Sequence, residues 1–263
     1  MAIRYLVPNA LTAASLLCGL GSIFFSLESR FTDAAWFSLF CVLFDKLDGF
    51  AARLLRAQSR FGVEFDSFAD FVGFGVAPAA VLVGFFTEHR EYGFASGLPR
   101  LALLGSVALF VMALAGRLAR YNVSPSDPRF FHGLPSTLCG GIVMSFLLMC
   151  LKYGHGPAAE SFTDPRMLGG LRIGDSALQA MPVILVVLAA LMLSPLRLPK
   201  LAKREHTALN VFQAINVAAL YLLGAIRWLP EYLCIVGVGY AAVGLVVGAL
   251  HHEEPAEAEA ATR

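Results

Sequence analysis

The stretch Asp45-Lys46-Leu47-Asp48-Gly49-Phe50-Ala51-Ala52-Arg53, followed after eight residues by Gly62-Val63-Glu64-Phe65-Asp66-Ser67-Phe68-Ala69-Asp70, sets four aspartates among long apolar runs. Ionisable groups inside or at the edge of a membrane span are costly, and their default reading is a functional site. Asp45 and Asp48 are i,i+3 and Asp66 and Asp70 are i,i+4, so each pair shares one helix face. Two such faces meeting gather four hard oxygen donors around one small volume. Mg²⁺ and similar cations need that kind of site, above all where phosphate supplies the remaining ligands.

Composition says what surrounds these acids. The chain is 57% hydrophobic with a mean hydropathy of +0.68, values that soluble domains rarely reach. A net charge of +1 excludes a broad phosphate-binding surface, and with it a strongly basic nucleic-acid binder. The five cysteines, Cys18, Cys41, Cys139, Cys150 and Cys234, fall in apolar stretches, form no CxxC pair and are odd in number. They read as small buried hydrophobes.

Apolar runs of bilayer-spanning length recur at about 8–27, 33–54, 67–86, 100–119, 134–152, 179–196, 208–226 and 230–250. The sequence therefore predicts an all-α, polytopic membrane bundle. Residues 1–200 form a six-span core, 201–250 add two spans, and 251–263 form an acidic, Ala-rich, disordered tail. No internal repeat is visible. The first run lacks a small-x-small cleavage site and reads as a retained span. Arg53, Arg56, Arg60, Arg117, Arg120, Arg129, Arg197, Lys200, Lys203 and Arg204 fall on one side, which predicts cytoplasmic termini. The aspartate pairs then flank a cytoplasmic turn.

Around the acids, Gly49, Ala52 and Gly62 let a ligand or backbone approach closely. Arg53 is a bidentate phosphate donor beside them. Together these features suit a pyrophosphate-bearing substrate with a flat nucleotide end, presented at the bilayer edge. On a soluble helix such acid pairs are a solvated face, but here they abut apolar spans. An ion-coupled carrier is the competing reading, although transport sites are expected near mid-bilayer at broken helices.

The pattern Asp45-xx-Asp48-Gly49-xx-Ala52-Arg53-x8-Gly62-xxx-Asp66-xxx-Asp70 resembles, without gap or substitution, the signature of the CDP-alcohol phosphotransferase family. The resemblance implies an enzyme that displaces CMP from a CDP-linked lipid with an alcohol. It implies that Asp45, Asp48, Asp66 and Asp70 ligate two divalent ions, Mg²⁺ or Mn²⁺, and that Asp70 is the base on the incoming hydroxyl. Gly49, Ala52, Arg53 and Gly62 would line the CDP pocket. It also implies a homodimer in the cell's inner membrane. Spacing alone does not single out the base among the four acids.

Segments outside the core resemble the phosphatidylserine synthase branch, which uses CDP-diacylglycerol and L-serine. They are Pro8-Asn9-Ala10-Leu11-Thr12, the run from Asp66 to Ala79, Arg117-Leu-Ala-Arg120-Tyr121-Asn122, Phe131-His132-Gly133-Leu134-Pro135-Ser136 and Leu193-Ser194-Pro195-Leu196-Arg197. Arg117, Arg120 and Asn122 are candidates for holding serine, since an arginine fork matches its carboxylate. The same arginines also suit an anchoring role at a helix end. Cys139-Gly140-Gly141 replaces the Ala-rich run expected of that branch, which keeps glycerol 3-phosphate, inositol phosphate and choline open as acceptors. His132, His251 and His252 carry no catalytic expectation. Arg197, Lys200, Lys203 and Arg204 read as a topological basic cluster, with attraction of anionic lipid as the sharper alternative.

Overall fold

The computed structural model describes residues 3–124, 130–156, 158–199 and 207–250. Arg129, the basic residues Lys200, Lys203 and Arg204, the histidines His251 and His252, and the 251–263 tail lie outside the described residues. The helices are α1 (Leu6–Leu27), α2 (Phe31–Leu54), α3 (Arg60–Asp70), α4 (Ala77–Glu88), α5 (Gly97–Val123), α6 (Ser136–Tyr153), the short α7 (Ser176–Gln179), α8 (Met181–Leu193), α9 (Thr207–Ala225) and α10 (Pro230–Leu250). Two three-residue strands, β1 (Phe130–His132) and β2 (Arg197–Pro199), pair antiparallel. Among the described residues, five stretches are long and apolar enough to cross a membrane: Leu6–Leu27, Arg60–Glu88, Gly97–Val123, Ser136–Tyr153 and Pro230–Gly248. With α2, which is as long but carries the acids, they make a multi-pass membrane bundle.

Two spans differ from the sequence expectation. The third begins at Arg60, not near 67, because its first turns are amphipathic and escape a search for apolar runs. Ser59 caps it, its hydroxyl accepting from Gly62 N at 3.0 Å. The sixth is only the 13-residue α8, since the chain leaves the helix at Ser194 before Pro195.

α1 explains how a membrane helix packs without a hydrophobic driving force. Its buried residues are Pro8, Thr12, Ser15, Gly19, Ser22 and Ser26, a small-residue stripe on one face, while Leu17, Leu20, Phe24 and Leu27 are exposed. The stripe's hydroxyls reach neighbouring helices. Ser15 donates to Cys41 O at 3.4 Å, Ser22 to Ala34 O at 2.7 Å and Ser26 to Ala80 O at 3.2 Å.

Between α3 and α4 the helix widens into a π turn over Phe71–Val76. Such turns are rare and tend to sit beside functional sites. The Ser38 hydroxyl donates to the Gly73 carbonyl of this turn at 3.0 Å. Gly73 lies so close to α2 that a Cβ there would meet Cys41 Cβ and Sγ at 2.9 Å. Asp70 is the last residue before this turn, so the close packing of α1, α2 and the π turn fixes its position.

Helix ends are closed economically. After α2, Ala57 N donates to Ala52 O at 2.8 Å and Arg56 N to Arg53 O at 3.2 Å, with Arg56 at φ 47°. This is a Schellman cap with arginine where glycine is usual. Ser29 after α1 and Arg227 after α9 take the same left-handed position.

At the bundle end opposite the aspartates, α6, the following loop and α10 share a buried polar network. Lys152 Nζ donates to Asp164 Oδ2 at 2.5 Å and to both Glu231 oxygens at 3.0 Å. Tyr153 donates to Glu231 Oε1 at 2.7 Å, and Asp164 accepts from Leu229 N at the start of α10. Arg227, in the α9–α10 turn, reaches Asp33 of α2 at 2.5 Å. The C-terminal helix pair is thus tied to the core at its turn. All five cysteines are free thiols, four of them buried and Cys18 half-buried.

Candidate active site

Asp45 and Asp48 come from the C-terminal half of α2, and Asp66 and Asp70 from α3. The helices bring Asp45, Asp48 and Asp66 together, with one carboxylate oxygen from each lying within 4.8 Å of the others. Lys46 Nζ donates to Asp45 Oδ2 at 2.6 Å, and Thr137 of α6 approaches the same oxygen at 3.5 Å. Asp48 is buried and accepts from the Thr12 hydroxyl at 2.6 Å. Asp70 stands outside the three-way group. It is buried, and its Oδ1 has no hydrogen-bond partner.

That orphan oxygen decides how the cluster reads. Among the described residues, only Asp70 Oδ1 and Arg117 Nε are buried side-chain polar atoms without a partner. A buried polar atom that has lost water and gained nothing is expensive, and in a native fold it calls for an explanation. Three crowded carboxylates and a fourth with an open oxygen repel one another and fit a divalent cation. All four donors are hard oxygens, the type Mg²⁺ and Mn²⁺ prefer.

The expected pocket residues lie on the two helices that carry the acids, α2 and α3. A Cβ added at Gly49 would meet only Arg53 Nη1, at 3.5 Å, so that face is open and overlooked by the exposed guanidinium. Ala52 is half-buried one turn on. Gly62 is tight, since a Cβ there would lie 3.1 Å from Ser59 Oγ and 3.5 Å from Asn9 Oδ1.

The three candidates for holding serine separate. Arg117 is buried and donates to Ser136 Oγ at 3.3 Å, leaving Nε unpaired. Arg120 donates to Met192 O and Leu193 O at 3.1 Å and to His132 O at 3.2 Å. It thereby caps the carbonyl end of α8 and ties it to β1. Asn122 donates to Ser67 Oγ at 2.9 Å and approaches Glu64 Oε2 at 3.4 Å, which links α5 to α3.

The accessory segments prove to be neighbours. His132 pairs with Arg197, Gly133 N donates to Leu196 O at 2.8 Å, and Leu134 N donates to Leu191 O at 3.1 Å. Gly133, at φ 71°, leaves no room for a side chain, since a Cβ would fall 2.3 Å from Met192 O. The departure at Cys139-Gly140-Gly141 also has a cause here. A Cβ at Gly140 would sit 2.9 Å from Phe74 Cβ, so the smallest residue admits the π turn against α6.

Sequence reading gave no role to Asn9, Thr12, Ser136 or Thr137, all of which touch the site. The signal available was the hydroxyl stripe of α1, whose first member points at the acids.

A family model described as CDP-alcohol phosphatidyltransferase matches residues 5–192. The chain belongs to that family. The matched range ends in α8, so it takes in all four aspartates of the motif and leaves α9 and α10 outside. A Helicobacter pylori protein named CDP-diacylglycerol–serine O-phosphatidyltransferase is 35% identical over 248 residues, covering 86% of this chain and 92% of the relative. A Mycobacterium leprae protein of the same name is 34% identical over 158 residues, covering 57% of this chain and 49% of the relative. An archaetidylserine synthase from Methanothermobacter thermautotrophicus is 31% identical over 144 residues, covering 54% and 58%. CDP-alcohol phosphatidyltransferases generally depend on a divalent metal, and this chain carries an acid cluster suited to one.

Proposed function

We propose that this chain transfers the phosphatidyl group of CDP-diacylglycerol to the hydroxyl of L-serine, releasing CMP. The names of its relatives support the donor and acceptor. The observation that carries the reading is that Asp70 Oδ1 and Arg117 Nε are both buried and without a partner. One wants a cation or a proton, and the other wants an anion.

Asp45, Asp48, Asp66 and Asp70 would hold two divalent ions, Mg²⁺ or Mn²⁺. When bound, such ions neutralise the diphosphate and stabilise charge on the attacking and leaving oxygens. Arg53 pairs with the diphosphate, and Gly49, Ala52 and Gly62 leave room for the cytidine end. Arg117 receives the serine carboxylate, while Arg120 and Asn122 hold the α5 end that presents it. Asp70 takes the proton from the serine hydroxyl as its oxygen bonds to the lipid-bearing phosphorus. The bond from that phosphorus to the bridging oxygen breaks, and CMP leaves with the electron pair.

The site opens to the cytoplasmic leaflet of the inner membrane, in keeping with the arginines and lysines at that end, and the chain works as a homodimer. The test is CMP release by the purified protein from CDP-diacylglycerol and Mg²⁺ or Mn²⁺ across serine, glycerol 3-phosphate, inositol, inositol phosphate and choline. Serine gives the highest kcat/KM, and EDTA abolishes release. Preference for a phosphorylated alcohol overturns serine as the acceptor and leaves the family chemistry standing. Full activity in EDTA overturns the ion reading.

A further inference from the structure

Three hydroxyls on the buried face of α1, those of Ser15, Ser22 and Ser26, donate to backbone carbonyls of neighbouring helices. That is ordinary interhelical packing. The fourth breaks the pattern. Thr12 is 3% exposed, and its Oγ1 lies 2.6 Å from Asp48 Oδ2. The Pro8 carbonyl, one turn back, is also in range at 3.1 Å. A hydroxyl has one proton, and the shorter contact to a carboxylate is the stronger bond. Thr12 therefore spends its proton on an acid of the cluster and not on its own helix.

We infer that Thr12 is a positioning residue, whose hydroxyl fixes the Asp48 carboxylate in the orientation that binds a divalent ion. The inference rests on the reading of the aspartates as an ion site. Asp48 has Asp45 and Asp66 as near neighbours, and repulsion drives it to rotate away from them. The Thr12 bond opposes that rotation and occupies one carboxylate oxygen. Threonine suits the task, because its branched Cβ has few rotamers and α1 buries it. Partners of metal ligands commonly carry tenfold to a hundredfold of metal affinity.

The experiment uses the full chain in detergent and reads Mn²⁺ affinity by electron paramagnetic resonance, independently of turnover. Thr12→Val keeps the shape and removes the proton, Thr12→Ser keeps the proton, and Ser15→Ala removes a hydroxyl from the same stripe. Thr12→Val weakens Mn²⁺ binding about tenfold or more, Thr12→Ser stays within about threefold of wild type, and Ser15→Ala leaves the affinity unchanged. Wild-type affinity in Thr12→Val overturns the inference while the ion site stands. Equal weakening in Ser15→Ala and Thr12→Val assigns the effect to packing and also overturns it. Should Thr12→Val fail to fold, Thr12→Ser decides, since it keeps the proton but loses the branch that packs: loss of Mn²⁺ affinity in a folded Thr12→Ser overturns the role of the hydroxyl, and retention supports it. Absence of Mn²⁺ binding in wild type removes the ion reading itself and this inference with it.

Discussion

The two ends of this bundle both bury charge, and they do so in opposite ways. At one end Lys152 sits between Asp164 and Glu231, and Tyr153 and two backbone amides complete the acceptors. None of these side chains has an orphan buried atom. At the other end acids crowd against acids, and Asp70 Oδ1 and Arg117 Nε have no partner. A satisfied network holds helices in place, whereas an unsatisfied one is waiting for something to bind.

The sharpest way to break the comparison is to remove a carboxylate. Asp66→Ala takes an ion ligand and also relieves repulsion. Serine-dependent CMP release should fall about a thousandfold or more, while the thermal midpoint in detergent holds or rises. A variant that unfolds instead would make the cluster structural. Asp70→Asn comes next. An amide cannot take the hydroxyl proton, so kcat should drop by about 10²–10⁴ with the KM for CDP-diacylglycerol nearly unchanged. If both parameters collapse together, Asp70 acts mainly as a ligand.

The opposite end should answer in stability, not chemistry. Lys152→Met leaves Asp164 and Glu231 buried without a counter-charge, at a cost of about 3–5 kcal/mol. Denaturant unfolding in detergent reads this, and Mn²⁺ affinity of the folded fraction should not move. A lost Mn²⁺ site with intact stability would invert the assignment of the two ends. The smallest effect is expected at Arg117. Replacing it with Lys forfeits the planar fork and should raise the KM for serine about tenfold, with the KM for CDP-diacylglycerol unchanged. A helix-end anchor alone predicts no change in either.

Much of this was legible in the residues. Apolar runs marked where most of the spans lie, and helical spacing put Asp45 and Asp48 on one face, which the structure joins to Asp66 while Asp70 stands outside the group. What escaped was long-range or locally unusual. Lys152, Asp164 and Glu231 are too far apart in the chain for any spacing rule to join them. The β1–β2 pairing joins two three-residue segments with no strand pattern of their own. The turns at Ser29, Arg56 and Arg227 use left-handed backbone without glycine, so no composition signal marks them. Arg120 and Arg117 look alike in sequence. Only the packing shows that Arg120 caps α8 and that Arg117 is buried with an unpaired donor.

The π turn at Phe71–Val76 gives the third span a joint with a built-in angular offset. Below it, α3 aims two acids inward, and above it, α4 seats Val81, Leu82, Phe85 and Phe86 in the core. Each residue of an α-helix turns the chain by about 100°. The π turn takes up one residue more than an α-helix would over the same rotation, so relaxing the joint to a plain α-helix with no residue removed would rotate one half against the other by about that angle. With α4 held in its seat, Asp66 and Asp70 would swing off the carboxylates of α2. Such a frame error touches no acid, ligand or pocket residue, and it would still silence the enzyme.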